Sequence, residues 1–591
     1  MSTETHPGPE SAASADGIVT TTVNGIRTVL AHRPGPLTAG LLFRVGSADE
    51  TLATRGITHL VEHLALHRLG RPGDPHHDGG GAAAYTRFEV TGTPTEVGEY
   101  LNGVCAALRD LPMDRLDTEK EILRAEAAVR SPGPGRLSTL WRYGSRSYGL
   151  AGYAEAGLAQ LTGQQVRDWA RTRFTAGNAV LWITGDAVPG GLGLALPRGP
   201  WQPAPEAASA LPVLPAFFRG ADGSVVLTSV LPRSTGAGLF AEVLGKELFR
   251  ALRHESGYAY TATCAYDPRD AGSATLVAHA DALPGQQEAM AGAFVGVLAK
   301  LREGRIDPAL LESVRASALA RLEAPGLAAD RLPGYAVDLL LGHRSPTVAE
   351  ERAEIEAVTA ASLHEIAHTV GAGALLQLPG RSADRAAELA PGFAAAPTGS
   401  AQTVTGRRHP ALGTPGTVLI VGDDGVSLVS ERQRITVHYA ACSLVQAFPD
   451  GARHLVGHDG FTLTVEPALY GIGPADLAPL DAAVPPSVVI TMPPREASRI
   501  PRPPRPALGP GPGHAPTAAG RAVWFTVLLW ALGTPGLLIG GAAIVLGYVM
   551  GDEHGQIAED NAWFLFRLLL LAGVLLIPWG ICVRLRAKGR N

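Results

Sequence analysis

Cysteine is scarce in this sequence, with four in 591 residues. Cys105, Cys264, Cys442 and Cys582 lie far apart and make no C-x-x-C pair, so they form no disulfide framework and read as structural thiols rather than ligands. Strong charge of either sign is missing too. A formal net charge of −5 is too mild to argue for a nucleic-acid partner. The first sixteen residues have no apolar run; they are polar, carry Pro, Ser and Gly, and read as a disordered segment rather than a secretory signal. Apolar residues, by contrast, make up 46% of the chain, enough at this length for three or four domains with sizeable cores as well as membrane segments.

One short stretch, Gly56 to Arg68, concentrates the chemistry. His59 and His63 are four apart, so a helix there projects both imidazoles from one face about one turn apart, the spacing of two ligands on a single zinc ion. Glu62 stands one position before His63. From there its carboxylate reaches the open coordination position, where it can take a proton from water instead of ligating the metal. The pattern H-x-x-E-H is the inverse of the common H-E-x-x-H zinc-peptidase motif. Ile57, Leu60, Val61 and Leu64 give the segment an apolar face, which turns the histidines partly inward. A third ligand is sought in the helix predicted over Asp117 to Val129, where Glu119 and Glu126 are seven apart and share a face. One of the two could complete a His2Glu set while the other stands behind it; spacing alone does not say which.

In order and type, these motifs resemble the pitrilysin/insulinase family of inverted-motif zinc peptidases, the mitochondrial processing peptidases included, over roughly residues 17 to 390. In that family H-x-x-E-H is followed by a Gly-Gly-x-x-Asn-Ala-Tyr/Phe-Thr strand and a Glu-Lys/Arg-x-Val-Ile-x-x-Glu helix. This sequence has Gly79-Gly80-Gly81-Ala82-Ala83-Ala84-Tyr85-Thr86 and then Glu119-Lys120-Glu121-Ile122-Leu123-Arg124-Ala125-Glu126. The resemblance implies Zn2+ held by His59, His63 and Glu126, with Glu119 as the supporting carboxylate and Glu62 as general base. Leu252 to Tyr260 resembles the second-domain signature, which implies that Arg253 and Tyr260 steady the substrate over the metal. Ala83 replaces the family's Asn, and the interval from His63 to Glu126 is shorter than the family's; neither change removes a ligand. A peptide or unfolded protein segment is the implied substrate. A homodimer or a heterodimer with a related subunit is implied as well, because two such domains make only half of the family's clam-like chamber. The alternative is a non-catalytic binding or assembly subunit of the same build.

The expected fold class is α+β, with two tandem insulinase-like α/β sandwich domains followed by a small all-β domain and a two-helix transmembrane hairpin. The boundaries are 1–16 for the disordered N-terminus, 17–190 for the zinc-peptidase domain, 191–220 for a linker and 221–395 for a second domain without the metal motif. A further linker covers 396–410, the β domain 411–495, a Pro-rich tether 496–520, and the membrane hairpin with its basic tail 521–591. Asn24-Gly25 between two apolar runs predicts a hairpin. The strand expected over Ala83 to Thr91 offers a free edge to a substrate strand. His76, His77 and Asp78 fall in a Pro/Gly loop and read as solvated. The β domain is loosely similar to pleckstrin-homology-like modules, which raises lipid or partner binding as a third reading. Ala522 to Met550 is uncharged, and Ala562 to Val583 is interrupted only by Arg567, so two spans of the lipid bilayer are expected. Arg521, Arg584, Arg586, Lys588 and Arg590 flank them on one side, and Asp552, Glu553, Glu559 and Asp560 lie in the connection. Positive flanks stay inside, which places the protein in the cell membrane with its catalytic domains cytoplasmic.

Overall fold

Asn24 and Gly25 both adopt positive φ, 48° and 85°, the backbone that a two-residue hairpin turn needs. The turn joins strands Val19–Val23 and Ile26–Ala31, paired antiparallel from Val23 opposite Ile26. In this computed structural model, residues 12–13 and 16–503 are described, apart from residues 68, 70–76, 130–132, 156, 221–222, 282 and 284. The tether past residue 503 and the expected membrane hairpin lie outside the described residues. Among the described residues, no helix is long and apolar enough to cross a membrane.

The first sheet has seven strands in the order Ala12–Ala13, Val19–Val23, Ile26–Ala31, Ala179–Thr184, Leu37–Phe43, Thr86–Gly92, His77–Gly81. Ala179–Thr184 sits in its middle, parallel to Ile26–Ala31 and antiparallel to Leu37–Phe43, and all six of its residues are buried. Burial on both faces explains why it reads as a continuous apolar run without alternation. Helices Ile57–Leu66, Pro94–Arg109 and Gly163–Arg173 cover one face of the sheet through Leu60, Leu64, Leu101, Val104 and Val166. The opposite face is covered from the other half of the chain. Ala329, Leu332, Ala336 and Leu340 of helix Leu327–Leu341 pack on Val29, Leu42, Val180 and Trp182.

The strand Thr86–Gly92 has no free edge, contrary to expectation. It pairs with Leu37–Phe43 on one side and with His77–Gly81 on the other, so the outer strand is His77–Gly81. Its three glycines explain the error, since glycine weakens any strand reading of sequence. They also explain the geometry. A Cβ on Gly79 would lie 2.6 Å from Leu66 Cδ1 and 2.8 Å from Glu62 Oε1, so a side chain here would displace the ends of both residues of the metal-motif helix.

The second sheet runs Ala262–Pro268, Ser273–Ala280, Val225–Pro232, Leu375–Leu378, Ala216–Arg219, Ala394–Ala395. Helices Thr235–Phe249, Gln287–Arg302, Pro308–Arg321 and Ala360–Ala372 pack against it around Phe240, Leu244 and Phe294. The fold of these two halves is mixed α/β. Two small four-stranded sheets follow, Gly406–Pro410 to Arg434–His438 and a second built on Cys442–Ala447 and Arg453–Gly457, closed by helix Pro474–Ala483. This β unit is docked on the first half. Leu444, Val456 and Ile490 pack with Leu52, Ala53 and Leu150, while Ser145 Oγ donates to the Gly457 carbonyl (2.7 Å) and lies 2.6 Å from the Ser443 hydroxyl.

Candidate metal centre

The helix Ile57–Leu66 starts at Gly56, whose φ of 102° is open to glycine and strained for other residues. Its exposed N-terminal amides are met by a carboxylate. Glu50 accepts from the Gly56 and Thr58 N–H groups at 3.0 Å each and pairs with Arg55 at 2.9 Å. Burial pushes the Glu50 pKa up; Arg55 and the two amides only partly offset that. One face of the helix, Leu60, Val61 and Leu64, is fully buried, which fixes the rotation of the helix and presents His59 and His63 together. Their rings lie 4.8 Å apart between centroids, at 90°.

Glu126 reaches across from helix Leu116–Val129. Its Oε2 stands 3.7 Å from His59 Nε2 and 3.5 Å from His63 Nε2, and all three ligand atoms fall within 4.8 Å of one another. Ligands about 2.1 Å from a tetrahedral zinc ion are about 3.4 Å apart, so the set fits that ion in both donor type and spacing. Glu119, one turn pair earlier and 5% exposed, lies with Oε2 3.4 Å from His63 Nδ1 and is itself held by Arg115 at 3.2 Å. Of the two carboxylates that spacing left undecided, Glu126 therefore faces the Nε2 atoms and Glu119 backs a ligand. Glu62 is buried beside the pair, against the glycine strand.

Sequence reasoning missed Glu155. Its Oε1 lies 3.2 Å from His59 Nδ1 and 3.7 Å from Arg55, so each histidine has a carboxylate on its rear nitrogen, the arrangement that fixes tautomer and ring orientation in metal sites. No spacing rule reaches it, because the residue arrives by way of the turn Ser147–Gly152, held under the β unit. The two carboxylates leave the histidines unequal. For His59 burial, the largest single influence, favours the neutral ring, yet the Glu155 bond and charge with Glu62 and Glu126 outweigh it and raise the pKa. Burial, helped by the neighbouring His59 charge, lowers that of His63.

The site opens on a cavity of about 650 Å³ between the two halves, lined by His59, Glu126, Ala83 and Tyr85 on one side and by Asp267 and Arg269 on the other. Arg253 and Tyr260 are not among its walls. Arg253 lies in a π-helical turn, Arg250–Glu255, donates to the Tyr260 carbonyl at 2.8 Å and stacks 4.8 Å over the Tyr260 ring, which is 69% exposed. The structure thus brings His59, Glu62, His63, Glu119 and Glu126 together, and stacks Arg253 on Tyr260 outside the lining of the cavity. His76 lies outside the described residues; the backbone of His77 and Asp78 belongs to the edge strand.

No protein-family model matches this sequence, and no curated protein does. Solved structures match it. A protease from Helicobacter pylori superposes with a TM-score of 0.51 at 17% identity, over 63% of this chain and 100% of its own. The periplasmic protease PqqL from Escherichia coli gives 0.50 at 13% identity, over 71% of this chain and 56% of its own. A peptidase M16 inactive domain from Pseudomonas fluorescens gives 0.49 at 15%, over 63% and 98%. The chain shares the fold of these solved proteases. At these identities the likeness is one of fold, and the chemistry of the site rests on its own side chains.

Proposed function

We propose that the chain is a membrane-anchored zinc metalloendopeptidase that hydrolyses peptides or unfolded protein segments. The observation that carries this reading is the triad His59, His63 and Glu126, with the Glu126 carboxylate 3.7 and 3.5 Å from the two Nε2 atoms, backed by Glu119 and Glu155 and opening on a cavity of about 650 Å³. His59, His63 and Glu126 would hold Zn2+, which when bound would supply a Lewis acid and make a neighbouring water more acidic. Glu62 takes the proton of the attacking water on its carboxylate and hands it to the departing amine. Glu119 and Glu155 hold the two imidazoles at their Nδ1 atoms, so the Nε2 atoms stay aimed at one point. The glycine edge strand His77–Gly81, whose backbone passes Glu62, suits a substrate strand added to the sheet. Arg253 and Tyr260 reach a site in trans, from a second copy or a related subunit, in a homodimer or heterodimer. The bilayer anchor is the hairpin of residues 521–591, with the catalytic domains on the cytoplasmic side. The β unit, which resembles a pleckstrin-homology-like module in having two small four-stranded sheets and a closing helix, serves the first half as a buttress.

A second reading, a non-catalytic binding or assembly subunit, is favoured by the engagement of Arg253 with Tyr260 outside the cavity lining and by Ala83. Zinc content and peptide cleavage of the purified chain separate the two. The peptidase binds one zinc through His63 and cleaves an unfolded-peptide library in a chelator-sensitive way. The binding subunit takes zinc without cleaving at any copy number, and a chain that takes no zinc defeats both.

A further inference from the structure

A second pair of histidines stands on the far half of the molecule, on helix Ala360–Ala372. The stretch His364-Glu365-Ile366-Ala367-His368 has the form H-E-x-x-H, which on a helix places both histidines on one flank. Leu363, Ala367 and Val370 turn the other flank into the core, so the histidines face outward. Their Nε2 atoms are 3.0 Å apart, with ring centroids at 4.7 Å. His364 Nε2–H also donates to the Arg302 carbonyl oxygen at 2.9 Å, a proton that a metal ion on this nitrogen would displace. That carbonyl is among the last of helix Gln287–Arg302, which have no partner within the helix.

This is not a second peptidase centre. Glu365 is exposed, and among the described residues the only cluster of three or more histidine, cysteine or acidic ligands is the one at His59. The spacing of the donors points elsewhere. Two ligands about 2.1 Å from an ion lie about 3.4 Å apart at a tetrahedral angle and about 3.0 Å apart at a right angle. The first site has 3.5 and 3.7 Å; this one has 3.0 and 2.9 Å. We propose that His364 and His368, with the Arg302 carbonyl, form one corner of a second metal site for a divalent ion of octahedral or tetragonal preference, of the Ni2+ or Cu2+ class, with water in the remaining positions. A mixed nitrogen and oxygen donor set of this shape is what those ions take. The corner exists only when the two helices are packed together, so the ion stabilises the folded second half by mass action.

The inference is independent of the peptidase reading, and its test keeps the two apart. The full chain carrying His59→Ala and His63→Ala, which strips the first centre, is titrated with NiCl2 by calorimetry and followed by thermal unfolding. One equivalent of nickel and a nickel-dependent rise in Tm are expected. Adding His368→Ala, at an exposed position, should abolish both, and His364→Ala should do the same from a lower metal-free Tm, because it also removes the bond to the Arg302 carbonyl. Cu2+ in the same background should show two equatorial nitrogens by electron paramagnetic resonance. The proposal is overturned if the doubly stripped chain takes no nickel, or takes it equally well without His364 and His368.

Discussion

At the scale of single residues, the centre divides labour among carboxylates that the sequence presents as alike. Glu62, Glu119, Glu126 and Glu155 all lie within reach of two imidazoles, yet only Glu126 faces both Nε2 atoms, and Glu119 and Glu155 sit behind one ring each. Glu62→Gln keeps size and hydrogen bonding but removes the base. The chain should hold its zinc and lose hydrolysis by about 10²- to 10⁴-fold, measured as cleavage rate beside metal content; full activity in a folded, zinc-loaded variant would refute the role. Glu155→Gln acts differently. It should weaken zinc binding by about 10- to 100-fold at a pH where both rings are neutral, as read by chelator competition. It should also change the proton count. In the apo chain the His59 pKa is raised, so below it the ring carries a proton that zinc must displace, and binding weakens as pH falls through that value. Without the Glu155 charge the ring is neutral to lower pH, and calorimetry in buffers of different ionisation heat near pH 6.5 should find fewer protons released per zinc.

Elements decide what a sequence shows of such a site. The metal-motif helix was legible because its apolar positions repeat with the helical period and its histidines follow that period. The Asn24-Gly25 hairpin was legible because only a few residues accept two consecutive positive φ values. The central strand Ala179–Thr184 stood out as an unbroken apolar run. The edge strand His77–Gly81 left no such mark, since its place depends on the absence of side chains beside Glu62 and Leu66. Glu155 was invisible for another reason. Its position is set by contacts among the first half, the turn Ser147–Gly152 and the β unit, and no local pattern records a contact across 298 residues such as Ser145 with Ser443. The β unit has its own fastening. Arg495 pairs with Asp450 (2.6 Å) and Glu466 (2.7 Å) and lies 4.9 Å over the Phe448 ring. For Asp450 burial works upward, but the Arg495 bond and charge win and hold its pKa below the usual carboxylate range. A depressed carboxylate stabilises the fold above its unfolded pKa and loses that contribution as pH falls through the folded value. Arg495→Ala should therefore cost about 2 kcal/mol at pH 7, seen as a lower urea midpoint, and the gap to the unaltered chain should close below about pH 3.

For the whole molecule the proposed peptidase raises the question of where Arg253 and Tyr260 act. The two halves of this chain are already committed to each other, since helix Leu327–Leu341 fills the outer face of the first sheet. That packing leaves Arg253 and Tyr260 stacked on one another on an exposed surface, and the cavity at the triad without them. A symmetric pair of copies resolves this if each lends its Arg253 and Tyr260 to the other's triad, because an isologous contact makes the exchange twice. Mixing then gives a test that no single variant can. Copies with Glu62→Gln lack a base, copies with Arg253→Ala lack the clamp, and each alone should be inactive as a homodimer. In a mixed dimer the Arg253→Ala copy keeps its own Glu62 and receives Arg253 from its partner, so one of the two sites is whole. Random pairing should restore about a quarter of the unaltered rate, with the restored activity rising and falling with the fraction of mixed dimers seen by mass. Activity in the Arg253→Ala copy alone would release Arg253 from the mechanism, and a mixture that stays silent while mixed dimers form would show that the clamp is not exchanged between copies of this chain.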